Sequence, residues 1–402
     1  MGDLSWRFDE REYNYIKEVL DSGFASGTSG NMNTRLEKAF CERFDVPFSI
    51  TCNSGTTTLH TALWALGVRH GDEVITTPLT VISCMNAILY CGAIPVFADI
   101  DPETFLIDPD DIKRRITPKT KAIMPVHLYG QVCDMTRIME IARENGLGVL
   151  EDCAQCYLGE HNGQLAGTIG DFGSWSFENS KHITTGDGGI LSCNDETLGD
   201  SARKISCQGF RNATAISGKI RSTKDMFQDP DFKRHSQFGF MYRLPEVAAA
   251  MAVAQIEKVD WFVEKREAMA AKYHNAITAN NCEWLVPQKV EKGDRHSYYA
   301  YAVVFERNDI SWMDFRSKYM EFGGDGIYAA WTLCYLEDSI PDVESILSRT
   351  GLEGRMNTRE GNCPVAEGVQ KKIMQFTTNQ KDEAEMDLQA DALNKTITYF
   401  SK

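Results

Sequence analysis

Between residues 50 and 195, short β-type apolar runs alternate with stretches of helical periodicity. Strands buried on both faces read as continuous apolar runs, and each parallel return needs a crossover, so this alternation predicts a parallel sheet covered by helices. The pattern places helix over 57–66, strand over 73–77, helix over 81–91 and strand over 94–100. It continues with helix over 108–115, strand over 122–127, helix over 135–145 and strand over 148–151. Two further strands, over 172–177 and 189–192, flank a glycine-rich loop, and the sheet is expected to have about seven strands.

Outside this block the signals are looser. Residues 8–45 read as an earlier helical layer, with Tyr13, Ile16, Val19 and Leu20 at helical spacing and a second helix over 36–44. Ser26-Gly-Thr-Ser-Gly30 is a loop between them. From 207 to 239 the chain is polar and aperiodic, the pattern of a long loop near a site that orders when ligand binds. Pro245 suits the first turn of a helix that should run on toward Asn280. Strand over 298–305 and helices over 312–322 and 383–400 suggest a smaller α+β unit. The expected division is residues 1–260 for the N-terminal helices and a large domain, and 261–402 for the connecting helix and a small domain.

Composition narrows the function classes. A chain of 402 residues with 43% apolar content can bury a large core and a smaller one. A formal charge of −15 would repel a phosphate backbone, so nucleic acid is not an expected partner, although a local basic pocket for a phosphorylated small molecule is compatible with it. Neither a leader-like start nor an uninterrupted apolar stretch of membrane length is visible, and a cytoplasmic protein without membrane contact is expected. The 12 cysteines are scattered from Cys41 to Cys363, which fits a reducing compartment and no metal site. Cys153-Ala-Gln-Cys156 matches C-x-x-C, and a redox or metal-binding pair and packed structural thiols both fit those two residues.

Lys181 lies in the run Ser176-Phe-Glu-Asn-Ser-Lys-His-Ile-Thr-Thr-Gly-Asp-Gly-Gly189, before a turn where the backbone can approach a ligand closely. Upstream, the apolar run Gly148-Val-Leu ends in Glu151-Asp-Cys-Ala-Gln155, which puts Asp152 at the carboxyl end of a buried strand, where open α/β sheets bind ligands. Asn53-Ser-Gly-Thr-Thr57 opens a helix whose free amides and hydroxyls form a phosphate cradle, with Ser176 as a further donor. An amine, an acid and a phosphate cradle are what pyridoxal 5′-phosphate requires of a protein. Taken singly, Lys181 also reads as a surface lysine and Asp152 as a turn or cap residue. The glycines of Gly186-Asp-Gly-Gly189 make no dinucleotide fingerprint.

The runs Asn53-Ser-Gly-Thr, Gly71-Asp-Glu-Val-Ile, Pro125-Val-His-Leu-Tyr-Gly, Glu151-Asp-Cys-Ala-Gln, Ser176-Phe-Glu-Asn-Ser-Lys, Gly186-Asp-Gly-Gly and Tyr242-Arg-Leu-Pro-Glu occur in order over about residues 8–280. In these the chain resembles the sugar aminotransferases of the DegT/DnrJ/EryC1/StrS group, within the aspartate aminotransferase superfamily. The resemblance implies PLP fold type I: a large domain with a mostly parallel seven-stranded sheet between helices, and a smaller C-terminal α+β domain. It implies Lys181 as the lysine that forms the aldimine, Asp152 as partner of the pyridine nitrogen and Gln155 as contact to the phenolic oxygen. Gly55, Thr56 and Ser176 would hold the phosphate. The implied reaction moves an amino group from L-glutamate to a keto carbon of a nucleotide-linked deoxysugar through a pyridoxamine form, in a homodimer whose sites borrow residues across the interface.

Three departures from the family pattern stand out. Val81 replaces an aromatic that stacks on the cofactor, and Met241 replaces an asparagine that reaches the neighbouring subunit's phosphate. Gly326-Ile-Tyr-Ala-Ala-Trp331 lacks a tyrosine, proline and histidine pattern used around the sugar nucleotide. Tyr328, Trp331, Arg211, Lys219 and Arg221 are the candidates for substrate contact. Competing readings are an aminotransferase of a free ketosugar or cyclitol, a noncatalytic cofactor-binding regulator, and a pyridoxamine-dependent sugar dehydratase, whose relatives carry histidine in place of the lysine. In that last case the register between Lys181 and His182 decides.

Overall fold

The computed structural model describes residues 4–221, 223 and 225–401, and in it the alternating apolar runs of the first half become the strands of one sheet. From the N-terminus, α1 (Glu10–Asp21) and α2 (Met32–Phe44) precede β1 (Phe48–Cys52), followed by α3 (Gly55–Ala65), β2 (Glu73–Thr76), α4 (Ser83–Tyr90) and β3 (Ile94–Phe97). Next come α5 (Pro109–Arg115), β4 (Thr120–Met124), α6 (Met135–Asn145) and β5 (Gly148–Asp152). A small hairpin, β6 (Glu160–His161) and β7 (Gln164–Leu165), leads to β8 (Phe172–Ser176), β9 (Gly189–Cys193) and α7 (Glu196–Ser206).

The seven strands run in the order β1-β9-β8-β5-β4-β2-β3, and β9 alone is antiparallel to its neighbours. The carboxyl ends of β1, β2, β4, β5 and β8 therefore open on one side of the sheet, where ligands bind in open α/β folds. Behind them Trp175 is wholly buried against the stacked pair Phe40 and Phe44, whose ring centroids lie 4.2 Å apart.

The second half holds α8 (Glu246–Ile256), α9 (Val259–Ala279), β10 (Leu285–Pro287), β11 (Ala300–Phe305), α10 (Trp312–Glu321) and β12 (Ile327–Ala329). It ends with α11 (Ile340–Arg349), α12 (Pro364–Gln370), β13 (Ile373–Thr377) and α13 (Glu383–Phe400). The antiparallel sheet β10-β11-β13-β12 has its own apolar core, around Tyr273, Phe315, Tyr319 and Phe376. The segment between β12 and β13 instead packs on the large sheet's core through Leu333, Tyr335, Leu347 and Cys363. Asp99, after β3, caps α12 by accepting from the Val365 and Ala366 amides at 2.9 Å each.

Several expectations need correction. The run from Pro245 does not form one long helix. It breaks after Ile256, at Lys258 (φ −113°), whose ammonium turns inward to Glu12 at 2.6 Å and to the Arg7 carbonyl at 3.0 Å. On α1, Val19 is buried, but Tyr13 and Leu20 are 72% and 60% exposed, because the helix packs through Glu12, Ile16 and Val19. The second helix begins at Met32 and not at 36. Strand β1 was not among the expected strands: its apolar Phe48, Ile50 and Cys52 alternate with Ser49 and Thr51 in place of a continuous run, and its Thr51 amide is satisfied by the Glu37 carboxylate at 3.0 Å.

Glu37 and Arg203 form a buried ion pair, with Nη2 to Oε2 at 2.8 Å, that joins α2 and α7 across β1. Removing one partner strands the other charge, so Arg203→Met is expected to lower stability by about 3–5 kcal/mol. Urea unfolding checks this: the midpoint should fall, and the double variant Glu37→Gln/Arg203→Met should lose less than the single one. Equal losses would contradict the pairing.

Candidate active site

The loop that leaves β8 carries Lys181, and nearly every carbonyl around it is held from outside the loop. Buried Arg7 donates to the carbonyls of Asn179 at 2.7 Å, Lys181 at 2.6 Å and His182 at 2.9 Å. Arg266, on α9, donates to that of Ser180 at 3.3 Å and to Tyr299 O and Thr378 Oγ1 at 2.9 Å each. With its backbone fixed in this way, Lys181 is 7% exposed, and its Nζ lies 4.9 Å from the centroid of the Tyr299 ring. No carboxylate or carbonyl among the described residues pairs with that amine, which leaves it available to a ligand.

Asp152 ends β5 and is buried. Its Oδ1 accepts from the Ala154 amide at 3.0 Å, and its Oδ2 accepts from the Cys84 thiol at 3.0 Å. Burial, and then Asp152 itself, push the Cys84 thiol well above its usual range, so it stays a neutral donor. Gln155 is fixed by its carbonyl oxygen, which accepts from the Tyr129 amide at 2.8 Å, while its NH2 group has no acceptor among the described residues and can donate to a ligand. Tyr129 adopts φ +62°, a left-handed conformation that is strained for a bulky residue and that aims its amide at Gln155.

Across from Lys181, Ser54 caps α3 and takes up the Thr57 amide at 3.1 Å. The Gly55 and Thr56 amides precede the first helical bond, Thr58 N to Ser54 O, and have no hydrogen-bond partner among the described residues, a geometry that attracts anions. Gly55 must be glycine: a Cβ there would come within 2.7 Å of Ser176 Cβ. Thr56 donates to Ser83 Oγ at 3.0 Å, adding a further hydroxyl.

Lys181, Asp152, Gln155, Gly55, Thr56 and Ser176 all line one cavity of about 300 Å3. Val81 and Ala154 contribute apolar wall, so an aliphatic side chain stands where an aromatic is missing. Of the substrate candidates, Trp331 reaches this cavity, whereas Tyr328 is exposed and lines a neighbouring one. Arg211, Lys219 and Arg221 are exposed and line neither; Arg211 donates to the Lys233 carbonyl at 3.0 Å and Arg221 lies over Phe227. Met241 is also exposed, next to Arg243. Sequence reasoning did not single out Ser83, Tyr299, Arg7 or Arg266. The last three arrive from segments far off in sequence and carry no local motif.

The other conspicuous groups nearby are committed elsewhere. His182 faces away from the cavity, donating from Nε2 to the Ser297 carbonyl at 2.9 Å. Glu151 is fully buried and accepts from the amides of Gly167 (2.8 Å), Ile169 (2.8 Å) and Gly170 (2.7 Å) and from His127 Nε2 (3.0 Å), which locks the segment before β8. Cys153 beside it has its thiol pushed well up by burial, and Cys156 is pushed up to about 12 while donating to the Gly130 carbonyl at 3.3 Å. Neutral thiols of this kind favour the packed-thiol reading of the C-x-x-C pair.

A sequence profile of the DegT/DnrJ/EryC1/StrS aminotransferase family matches residues 7–325. A GDP-perosamine synthase from Caulobacter vibrioides is 38% identical over 298 residues, 74% of this chain and 75% of the relative. The X-ray structure of an aminotransferase from Psychrobacter cryohalolentis superposes with a TM-score of 0.86 at 28% identity, covering 98% of both chains. The crystal structure of ntda from Bacillus subtilis with bound cofactor PMP superposes with a TM-score of 0.80 at 25% identity, covering 98% of this chain and 84% of that one. Among the described residues no helix is long and apolar enough to cross a membrane.

Burial behind the site has a pH consequence. It pushes the His182 imidazole well below its usual range and that of His296 down to about 3. Both stay neutral in the fold, while the unfolded chain protonates them below about pH 6.5. Their contribution is therefore fully present above that pH and is lost as pH falls, at up to about 1.4 kcal/mol per pH unit for each. Urea unfolding between pH 4.5 and 7 should show this slope, and it should be shallower in His296→Gln; an unchanged slope would remove His296 from the account.

Proposed function

The chain belongs to the DegT/DnrJ/EryC1/StrS aminotransferase family, and from that premise we propose that it moves an amino group from L-glutamate to a keto carbon of a nucleotide-linked deoxysugar, with pyridoxal 5′-phosphate held in the Lys181 cavity. The observation that carries this reading is the meeting, in one cavity, of an unpaired buried lysine, a carboxylate at a strand end and a helix N-terminus with free amides. The nucleotide-linked acceptor is supported by the GDP-perosamine synthase relative, and the cofactor by the PMP-bound ntda structure.

The residues fit the cofactor group by group. Gly55 and Thr56 amides with the Ser176 hydroxyl would hold the phosphate, and the missing Cβ of Gly55 keeps α3 close to Ser176. Asp152, fixed by Cys84 and Ala154, would keep the ring nitrogen protonated, and the Gln155 amide would donate to the phenolic oxygen. Val81 and Ala154 would exclude water from the ring's faces. When bound, the cofactor supplies an electron sink for negative charge at the substrate carbon that bears nitrogen. Lys181 Nζ would hold the cofactor's carbonyl carbon and, once released by the substrate amine, take the proton from that substrate carbon.

The same reading makes the protein a cytoplasmic homodimer, with Arg211, Lys219 and Arg221 of the exposed loop available to a second copy's site. The departure at residues 326–331 favours one alternative acceptor, a free ketosugar or cyclitol. The dehydratase reading loses support because Lys181, and not His182, lines the cavity.

Three substitutions test the assignment. Lys181→Ala should lower turnover by about 10³-fold or more with an unchanged far-ultraviolet spectrum, since it removes an amine and no core contact. Asp152→Asn should slow turnover about a hundredfold or more. Gly55→Ala should weaken the cofactor about tenfold by parting α3 from Ser176, read by equilibrium dialysis. The parent protein should turn yellow with pyridoxal 5′-phosphate and bleach with L-glutamate; a protein that never colours would sink the reading.

A further inference from the structure

Asp152 is a buried carboxylate with which no lysine, arginine or histidine pairs among the described residues. Its side chain has one donor on each oxygen, the Ala154 amide on Oδ1 and the Cys84 thiol on Oδ2, at 3.0 Å each. The carboxylate therefore cannot turn about its last bond without losing one of them. The two donors are unequal, since a backbone amide donates at full strength and a thiol weakly. A carboxylate also offers about four lone-pair sites, so Asp152 keeps acceptor capacity and most of its charge for a partner in the cavity it lines.

Cys84 reaches Asp152 from behind. It is buried and does not line the Lys181 cavity, although Val81 and Ser83 just before it do. It stands in the first turn of α4, where its amide donates to the Val81 carbonyl at 3.2 Å. Thr80 Oγ1 lies 3.5 Å from its sulfur, and because the thiol proton is spent on Asp152, the Thr80 hydroxyl is the donor in that contact. The turn that carries Thr80 is held in its place by Cys334. That residue's thiol donates to the Thr80 carbonyl at 3.6 Å, and its amide donates to the Pro78 carbonyl at 3.0 Å. A relay thus runs from Thr80 through Cys84 to Asp152, each link polarised by the one before.

We propose that Cys84 is a positioning residue for the reaction: its thiol orients the Asp152 carboxylate through Oδ2, and its weak donation sets how far the proton shared with the cofactor's ring nitrogen lies toward that nitrogen. The inference rests on the reading of the Lys181 cavity as a pyridoxal 5′-phosphate site. Hydrogen bonds to a carboxylate favour its charged form and make it a weaker base. A strong donor on Oδ2 leaves the shared proton on the ring nitrogen, and no donor draws it toward Asp152. The thiol holds it between those limits. A protonated ring nitrogen is what makes the ring an electron sink, so the residue at 84 adjusts the strength of that sink without touching the cofactor.

The test compares the cofactor-loaded parent protein with Cys84→Ser and Cys84→Ala. Serine keeps Asp152 and Thr80 as partners and supplies a stronger donor, whereas alanine removes the donor. Pyridoxal 5′-phosphate carrying ¹⁵N in its ring reports the proton's position through the chemical shift of that nitrogen, which moves from the pyridine toward the pyridinium value as the proton approaches. The shift should be most pyridinium-like in Cys84→Ser, intermediate in the parent and least so in Cys84→Ala. Equilibrium dialysis should show Cys84→Ala binding the cofactor about tenfold more weakly, with Cys84→Ser within about threefold of the parent. Coinciding shifts in the three proteins, or any other order, would overturn the proposal even if affinity falls, because lost packing alone moves affinity and not the ring proton. Should alanine unsettle the fold, the near-isosteric Cys84→Ser decides alone, by its displacement from the parent. A parent protein that takes up no labelled cofactor fails at an earlier step, and removes the reading of the Lys181 cavity along with the inference.

Discussion

Four consecutive carbonyls, from residues 179 to 182, end on two buried arginines, and the position of Lys181 depends on that clamp. The loop between β8 and β9 makes a few backbone bonds of its own, such as Lys181 N to Glu178 O and Thr185 N to Phe177 O at 3.0 Å each, but leaves the carbonyls of 179–182 to other segments, and an unpaired buried carbonyl is expensive. Arg7 comes from the chain's start and Arg266 from the helix that leads to the small sheet, so three distant segments converge on one turn. The fold bears a cost for this. Burial pulls Arg7 down to about 10 and Arg266 to about 9, and two like charges sit close together. Lys258 extends the same arrangement, holding the Arg7 carbonyl at 3.0 Å where the chain breaks between α8 and α9.

Much of the large sheet was legible because its central strands are buried on both faces, which writes continuous apolar runs into the sequence. Strand ends then follow, and with them the places where Asp152 and Ser176 emerge. Strand β1 has no such continuous run: Phe48, Ile50 and Cys52 alternate with Ser49 and Thr51, whose polar groups are matched by the buried Glu37, so a search for continuous runs passes over it. The break at Lys258 escaped notice for a related reason: a lysine within a helical pattern reads as solvated, and nothing local signals that its ammonium reaches Glu12.

The candidate site divides along the same line. Lys181, Asp152, Gln155, Gly55, Thr56 and Ser176 sit in local motifs at strand ends or helix starts, and the structure brings them to one cavity. Arg7, Arg266 and Tyr299 are contributed by long-range packing, so no motif announces them. Arg211, Lys219 and Arg221 were candidates by charge and loop position alone, and within one chain they stay outside both cavities. Local chemistry is written in the sequence, whereas the groups that hold it in place emerge only when the chain is folded.

The central claim is that the Lys181 amine is the group to which pyridoxal 5′-phosphate attaches. Borohydride reduction of the cofactor-loaded protein, followed by digestion and mass mapping, tests it directly. The account predicts the reduced adduct on Lys181 at near-stoichiometric yield. An adduct on another lysine, or none, would contradict it.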